Sequence, residues 1–406
     1  MSWPLHTLDE LGYVSRGRSR HRPRDAAHLY GGPYPFIQTA DVKHANLYVR
    51  EYTQTYSEAG LAQSKLWKAG TLCITIAANI ADTAILDIDA CFPDSVIGFI
   101  PDKSKADARF IKYLFDALLQ KRYQRFTQGA AQDNLSQAKL LSLKFPVPDL
   151  TAQQMIADRL SAYDDLIENN RRRIQLLEQA ARLLYREWFV HLRFPGHEHV
   201  KIKDGVPEGW KKMPLGEVLL ELESGGRPKG GAVDDGIPSI GAENVIGIGR
   251  YDFSKEKFVP EEFFVAMRKG VIQDRDVVVY KDGANIGRSS FFGDGFPHEK
   301  CCVNEHVFIL RAIPEVGQNL LYFWVERDET RQRIVNLNAN TAQPGVSQSK
   351  LKTLPFVVPK SWIAQLFNEA VEPIVRQIFL LAKTNKALVT ARDLLLPRLM
   401  NGQIAV

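Results

Sequence analysis

Hydrophobic positions along the chain follow two different periods. Residues 69–77 (AGTLCITIA), 95–101 (SVIGFIP), 270–280 (GVIQDRDVVVY) and 304–311 (NEHVFILR) are short apolar runs of strand character. Glycine punctuates them densely, notably Gly225-Gly226, Gly230-Gly231 and Gly283. Further along, the spacing changes to alternating threes and fours. Leu160, Tyr163, Ile167, Asn170, Ile174, Leu177, Ala181, Leu184 and Trp188 form a heptad seam broken only by Asn170. A shift of 211 residues gives a second seam: Val371, Ile374, Ile378, Leu381, Asn385, Leu388, Arg392, Leu395 and Leu399, with Asn385 and Arg392 as polar exceptions. A helix over 152–190 would be about 58 Å long at ~1.5 Å per residue. Pro373 should kink or delay the second helix, because its ring crowds the preceding turn and it has no N–H; Pro397 should loosen the last turn.

The seams belong to a larger internal repeat. Residues 135–148 read LSQAKLLSLKFPVP and residues 346–359 read VSQSKLKTLPFVVP, with Ser136/Ser347, Gln137/Gln348, Lys139/Lys350, Leu140/Leu351 and Phe145/Phe356 identical at an offset of 211. Ala131-Gln132 matches Ala342-Gln343 at the same offset, and Trp3, Leu8 and Glu10 match Trp210, Leu215 and Glu217 at an offset of 207. Ala78-Asn79-Ile80 matches Ala284-Asn285-Ile286. The organisation expected is a globule over 1–150, a long helix over 151–192, a linker over 193–209, a second globule over 210–359, and a second long helix with a tail over 360–406. One amphipathic helix alone would read as part of a larger core. Two in register, each closing a repeated α+β globule, point to an inter-domain spacer in a pseudo-two-fold molecule, suited to a target with two related halves.

Charge adds a direction. The chain holds 52 Lys+Arg against 47 Asp+Glu, a net of +5, which permits a polyanionic partner without demanding one. Arg16, Arg18, Arg20, Arg22 and Arg24 alternate with Gly17, Ser19, His21 and Pro23, and no acid intervenes. Guanidinium groups suit phosphate forks and guanine edges. The second half carries Arg227 and Lys229 at the equivalent point. Gln38, Thr39, Asp41 and Lys43 correspond to Gly241, Ala242, Asn244 and their neighbours; Asn79 pairs with Asn285, which Lys281 and Arg288 flank. With Gln132 and Gln343, these are the polar candidates for DNA contact. The competing readings are a solvated basic loop, and turn chemistry for Asn79 and Asn285. The halves differ most in these loops, so two scaffolds should read two different half-sites.

Catalytic signatures are missing from the sequence. It has no GxxxxGK[ST] phosphate loop, no tetrapeptide to grip a flipped base and no glycine motif for S-adenosylmethionine. Asp102 with Lys103 and Lys105 lacks the second acid that a metal nuclease needs, and a solvated turn accounts for it better. His298, Cys301, Cys302 and His306 lack zinc-site spacing, so no metal is expected, and Gly196-His197-Glu198-His199 reads as linker. Cys73, Cys91, Cys301 and Cys302 form no disulfide framework; no apolar run approaches a membrane span and no secretory leader is evident, so a cytoplasmic protein is expected.

Two variable globules, each closing with an SQxKLxxLxFxVP segment, a glutamine-bearing helix start (Gln153-Gln154; Gln365) and a long helix, resemble the DNA-specificity subunit of type I restriction–modification enzymes. The run RDLLLPRLMNG over 392–402 is similar to the end of that family's second helix. The resemblance covers the whole chain. It implies two target recognition domains that read the halves of a split sequence in double-stranded DNA, and two helices forming an antiparallel coiled coil that sets their spacing. It also implies docking of two modification (methyltransferase) subunits, which bring S-adenosylmethionine, with restriction (motor–nuclease) subunits joining them; this chain itself would hold no cofactor and no catalytic centre. Two rival readings stand beside it: a stand-alone metal-dependent nuclease around Asp102, and a protein-binding coiled-coil scaffold.

Overall fold

The structure, a computed structural model, describes residues 3–77, 80–120, 135–338 and 345–404. It divides into two compact units, residues 1–168 with 387–406, and residues 169–386. The division passes through both long helices, Leu150–Tyr185 and Ser361–Met400, so each unit contains a segment of each helix.

Unit 1 is built on a five-stranded sheet in the order Gly12–Arg16, Val96–Pro101, Leu72–Thr75, Thr83–Leu86, Tyr48–Val49. A four-stranded sheet runs Gln54–Tyr56, Tyr30–Phe36, Ala90–Cys91, Leu66–Trp67. In unit 2 the corresponding sheets are Leu219–Ser224, Val307–Ala312, Asp276–Tyr280, Ser289–Phe292 and Phe258–Val259, Ile237–Ile240, Cys302–Val303. The runs read from sequence hold the strands Leu72–Thr75, Val96–Pro101 and Asp276–Tyr280 and most of Val307–Ala312.

The repeat extends to register. Arg16 pairs with Ile97 in unit 1, and Ser224 with Phe308 in unit 2. Phe36 lies opposite Cys91 in a parallel pair, as Ser239 lies opposite Cys302. The residues shared by the two SQxK segments explain themselves. The Ser136 hydroxyl accepts from the Lys139 N–H at 3.1 Å and the Ser347 hydroxyl from the Lys350 N–H at 3.3 Å, each capping a short helix. Leu140 and Leu351 are buried beneath those turns, and Phe145 and Phe356 enter short two-strand ladders opposite His6 and Met213. The matched serines, leucines and phenylalanines are therefore caps and core contacts.

In each unit the long-helix segments run antiparallel. In unit 1, Asp164 meets Arg392 while Ile156 and Leu160 share a core with Leu399 and Met400. In unit 2, Asn170 meets Asn385, and the rings of Tyr185 and Trp188 lie 5.9 Å and 5.8 Å from that of Phe367. The inner seam differs from the hydrophobic expectation at three positions. Asp164, Glu178 and Tyr185 are buried there, while Tyr163, Leu177 and Leu184 are half-buried beside them. On the second helix Val375 is buried and Ile374, Leu388 and Leu395 are half-buried. Ion pairs and hydrogen bonds satisfy the polar seam residues, so apolarity alone could not locate them.

One expectation needs correction. The second helix is neither delayed nor interrupted by Pro373 and runs on past Pro397. Pro373 faces outward, and Val371, Val375 and Ile378 around it are buried, so packing outweighs the missing hydrogen bond. The linker over 193–209 is packed: Phe194 is buried with its ring 5.0 Å from that of Trp210, and Ile202–Lys203 pairs with Val206–Pro207 in a hairpin. Among the described residues, no helix is long and apolar enough to cross a membrane.

Candidate nucleic-acid interface

Each half begins its basic loop at a glycine with no room for a side chain. A Cβ on Gly17 would lie 2.3 Å from the carbonyl oxygen of Phe92, and one on Gly225 would lie 1.6 Å from that of Val303. Gly17 N–H donates to Val96 O at 2.9 Å, and Arg18 N–H to Phe92 O at 3.0 Å. The loop is thus held against the chain leaving the second sheet, and its side chains project from a fixed root.

The five arginines divide by partner. Arg16 Nε donates to the Asp94 carbonyl at 2.8 Å, and Arg24 pairs with the Asp94 carboxylate at 2.9 Å. Arg22 curls back onto the carbonyls of Ser19 and His21, each at 2.8 Å. The exposed side chains of Arg18 and Arg20 have no hydrogen-bond or ion-pair partner among the described residues. The backbone N–H groups of Arg20 and His21 donate to Gln63 Oε1 at 2.5 and 3.0 Å, which fixes the loop's crest. Sequence showed no acid within the arginine run; the fold brings Asp94 to it.

In unit 2, Arg227 lies 3.9 Å from Glu305, and Lys229 is exposed. Lys281 sits 5.0 Å over the Phe308 ring. Asn285 accepts the Arg288 N–H on its carbonyl at 3.1 Å within a tight turn, where Gly287 has φ 80°; the equivalent turn of unit 1 holds Ala81 at φ 68°. The Arg288 side chain is exposed.

Asn244 is buried; its side-chain oxygen accepts the Gly241 N–H at 3.1 Å and its amide donates to Asp252 O at 3.1 Å, so it holds its own turn. Asp41 has the same role in unit 1, accepting from Gln38 N–H at 2.8 Å. Gln38 donates its side-chain amide to Gln54 at 2.6 Å; Thr39 opens the helix Thr39–His44, on which Lys43 is exposed. Asn79, Gln132 and Gln343 lie outside the described residues.

One pair was missed. Tyr13, on the strand leading into the loop, is exposed, and Lys65 lies 4.6 Å over its ring and 3.6 Å over that of Trp67. Hydrogen bonds from Ser15 and Lys65 pull the Tyr13 phenol below its ordinary range. A tyrosine on the outward positions of a strand was the available signal; Lys65 joins it only through the fold.

The groups considered for other chemistry serve locally. Asp102 accepts from Ser104 at 2.7 Å in an exposed turn, and these hydrogen bonds hold its carboxyl below the usual range. His298 is bonded to Glu256 and His306 to Asp282, while burial pushes the Cys302 thiol up to about 11.

Comparison with known proteins points to a family. Residues 2–179 match the family model described as the type I restriction modification DNA specificity domain. The chain is similar to that family over those residues. It is 22% identical to the type I restriction enzyme MjaIX specificity subunit of Methanocaldococcus jannaschii, over all of this chain and 94% of the relative. It is also 22% identical to the HindI specificity subunit of Haemophilus influenzae, over 97% of this chain and 98% of the other. The crystal structure of the type I S subunit from M. genitalium superposes with a TM-score of 0.60 at 15% identity, covering 98% of this chain and 96% of that one. The fold is therefore that of an S subunit, with two α+β domains joined by a helical coiled coil.

Proposed function

We propose that this chain is a specificity subunit that reads a bipartite sequence in double-stranded DNA, one half-site per unit, and lends that recognition to two modification subunits and, through them, to restriction subunits. The carrying observation is the pair of basic loops: the same register and the same crowded glycine root, Gly17 and Gly225, support loops of different sequence. Arginine contacts to phosphate supply affinity and position, and polar side chains at the loop crests supply sequence. The chain's own residues bind and space the DNA. The S-adenosylmethionine and the chemistry belong to the modification subunits, and this chain contributes no catalytic group.

The test is the salt dependence of duplex binding by the reconstituted complex. Replacing Arg18 and Arg20 with Ala should reduce the slope of log K against log salt by about 0.9 for each phosphate contact removed. An unchanged slope would remove the loop from the interface. Purified chain with Mg²⁺ and plasmid should leave the DNA uncut; cleavage lost in Asp102→Asn would favour the nuclease reading instead.

A further inference from the structure

Unit 2 contains a cleft of about 720 Å³ where the first long helix meets the globule, at Gly287–Ser289 and the helix Asp328–Asn336. Its floor is electrically closed. Glu178, 2% exposed, takes Arg182 at 2.9 Å and also Arg250, while Arg182 Nε donates to Glu326 at 2.9 Å. Arg327 is occupied as well, with Glu329 at 3.2 Å and the Tyr185 ring at 5.8 Å.

The remaining lining is not closed. Arg186, Arg288 and Arg331 all line the cleft, and none has an acidic partner among the described residues. Asp328 is the single acid left to oppose them there. Three guanidinium-bearing residues lining one recess repel each other, and an anion between them relieves that cost. The backbone holds them together. Gly287 turns at φ 80° so close to the helix that a Cβ would lie 3.0 Å from Arg331 Cγ, which places Arg288 beside Arg331. Arg186 opens a π-helical turn, Arg186–Val190, an irregularity frequent at functional sites. The half-exposed Val190 and Ile246 provide an apolar wall. The feature belongs to one half only: at the offset that aligns Ile80 with Ile286, the place of Arg288 is taken by Asp82.

We propose that this cleft binds a phosphate-bearing ligand of nucleotide size, its phosphates gripped by Arg186, Arg288 and Arg331 and its apolar part laid against Val190 and Ile246. The volume lies within the ~300–1,000 Å³ of small-ligand sites. Bidentate guanidinium–phosphate pairing is the chemistry shared by two sources, a free nucleoside polyphosphate and a phosphodiester of bound duplex. The duplex source rests on the DNA-recognition reading; the free nucleotide does not.

The experiment uses the full chain in complex with its modification subunits. ATP, inorganic pyrophosphate and a non-specific duplex are titrated by calorimetry or fluorescence anisotropy against the native complex and against Arg186→Ala/Arg288→Ala/Arg331→Ala. Loss of ATP and pyrophosphate binding by tenfold or more in the variant, with duplex binding unchanged, assigns a free nucleotide. A tenfold loss of duplex binding with no ATP binding in either protein assigns a DNA phosphate. Equal binding of all three probes by both proteins overturns the proposal. Arg288→Asp, which installs the first half's residue on an exposed turn, repeats the measurement if the triple variant does not fold. Arg18→Ala/Arg20→Ala leaves the cleft intact, so a failure of DNA recognition itself shows in that variant and not here.

Discussion

Asn170 donates its side-chain amide to the side-chain carbonyl of Asn385 across 2.9 Å, each residue sitting at the polar break in its own helix's seam. Asn170 is buried, so its polar ends are satisfied by that partner or left costly. A hydrogen-bonded polar pair in a buried seam penalises any slip that separates its members, and so it fixes register. Replacing both residues with Leu should raise the stability of the chain, by about 1 kcal/mol, and loosen the alignment of the helices. Urea unfolding measures the first effect; double electron–electron resonance between spin labels on the two helices measures the second. A destabilised double variant with unchanged distances would refute this role.

One turn or two further along, Asp164 is 2% exposed, accepts the Tyr113 hydroxyl at 2.5 Å and pairs with Arg392. Arg392→Met should leave a buried carboxylate without its counter-charge and cost about 3–5 kcal/mol. Asp164→Asn should cost less, because Arg392 keeps Asp393 at 2.8 Å. Tyr113→Phe should cost about 1.5–3 kcal/mol, the range for a hydrogen bond to a charged group. Denaturant midpoints at constant m-value give the order.

Gly225→Ala should destabilise unit 2 by about 1–3 kcal/mol, since the new methyl would meet a backbone carbonyl that has no room to retreat. It should also weaken duplex binding by displacing Arg227 and Lys229. Gly226→Ala is the control, its Cβ meeting nothing closer than Phe263 at 3.7 Å. Equal behaviour of the two variants in thermal melts would contradict the anchoring role.

Burial raises the Glu326 carboxyl to about 7 from an ordinary 4.5, against the opposing pull of Arg182. A carboxyl raised on folding binds its proton more tightly in the folded state. Its stabilising contribution is therefore complete below about 4.5 and is lost as pH rises through about 7. Between those values the native chain should lose stability relative to Glu326→Gln. Melting both proteins at pH 5 and pH 8 checks this; a native chain that gains stability relative to Glu326→Gln as pH rises would reverse the sign.

Inserting one heptad into both long helices, within the seam between Asn170 and Ile174 and opposite it between Ile378 and Asn385, adds about 10 Å of rise at ~1.5 Å per residue. The methylation pattern of cells carrying this variant should show a longer spacer between unchanged half-sites. A changed half-site with the original spacer would show that the helices do not set the distance.

Local pattern was enough to show the duplication, the two long helices and the approximate strands. Caps such as Ser136 and Ser347, buried phenylalanines such as Phe145 and Phe356, and heptad spacing act within a few residues, so they leave a direct trace in the chain. The basic loop was legible for the same reason, as a run of arginines with no acid among them. Which arginines stay available was not, because Asp94 comes from a turn some 70 residues further along the chain, and the burial of Asn244 in its own turn was not legible either. The buried seam positions Asp164 and Glu178 were hidden by their own polarity, which Tyr113 and Arg392 satisfy for Asp164 and Arg182 together with the distant Arg250 for Glu178. The same holds for the cleft at Arg186, Arg288 and Arg331, three cations far apart in the chain. Sequence determined what each segment does alone; tertiary structure decided which charges meet, because electrostatic and packing energies depend on distances through space that no local spacing encodes.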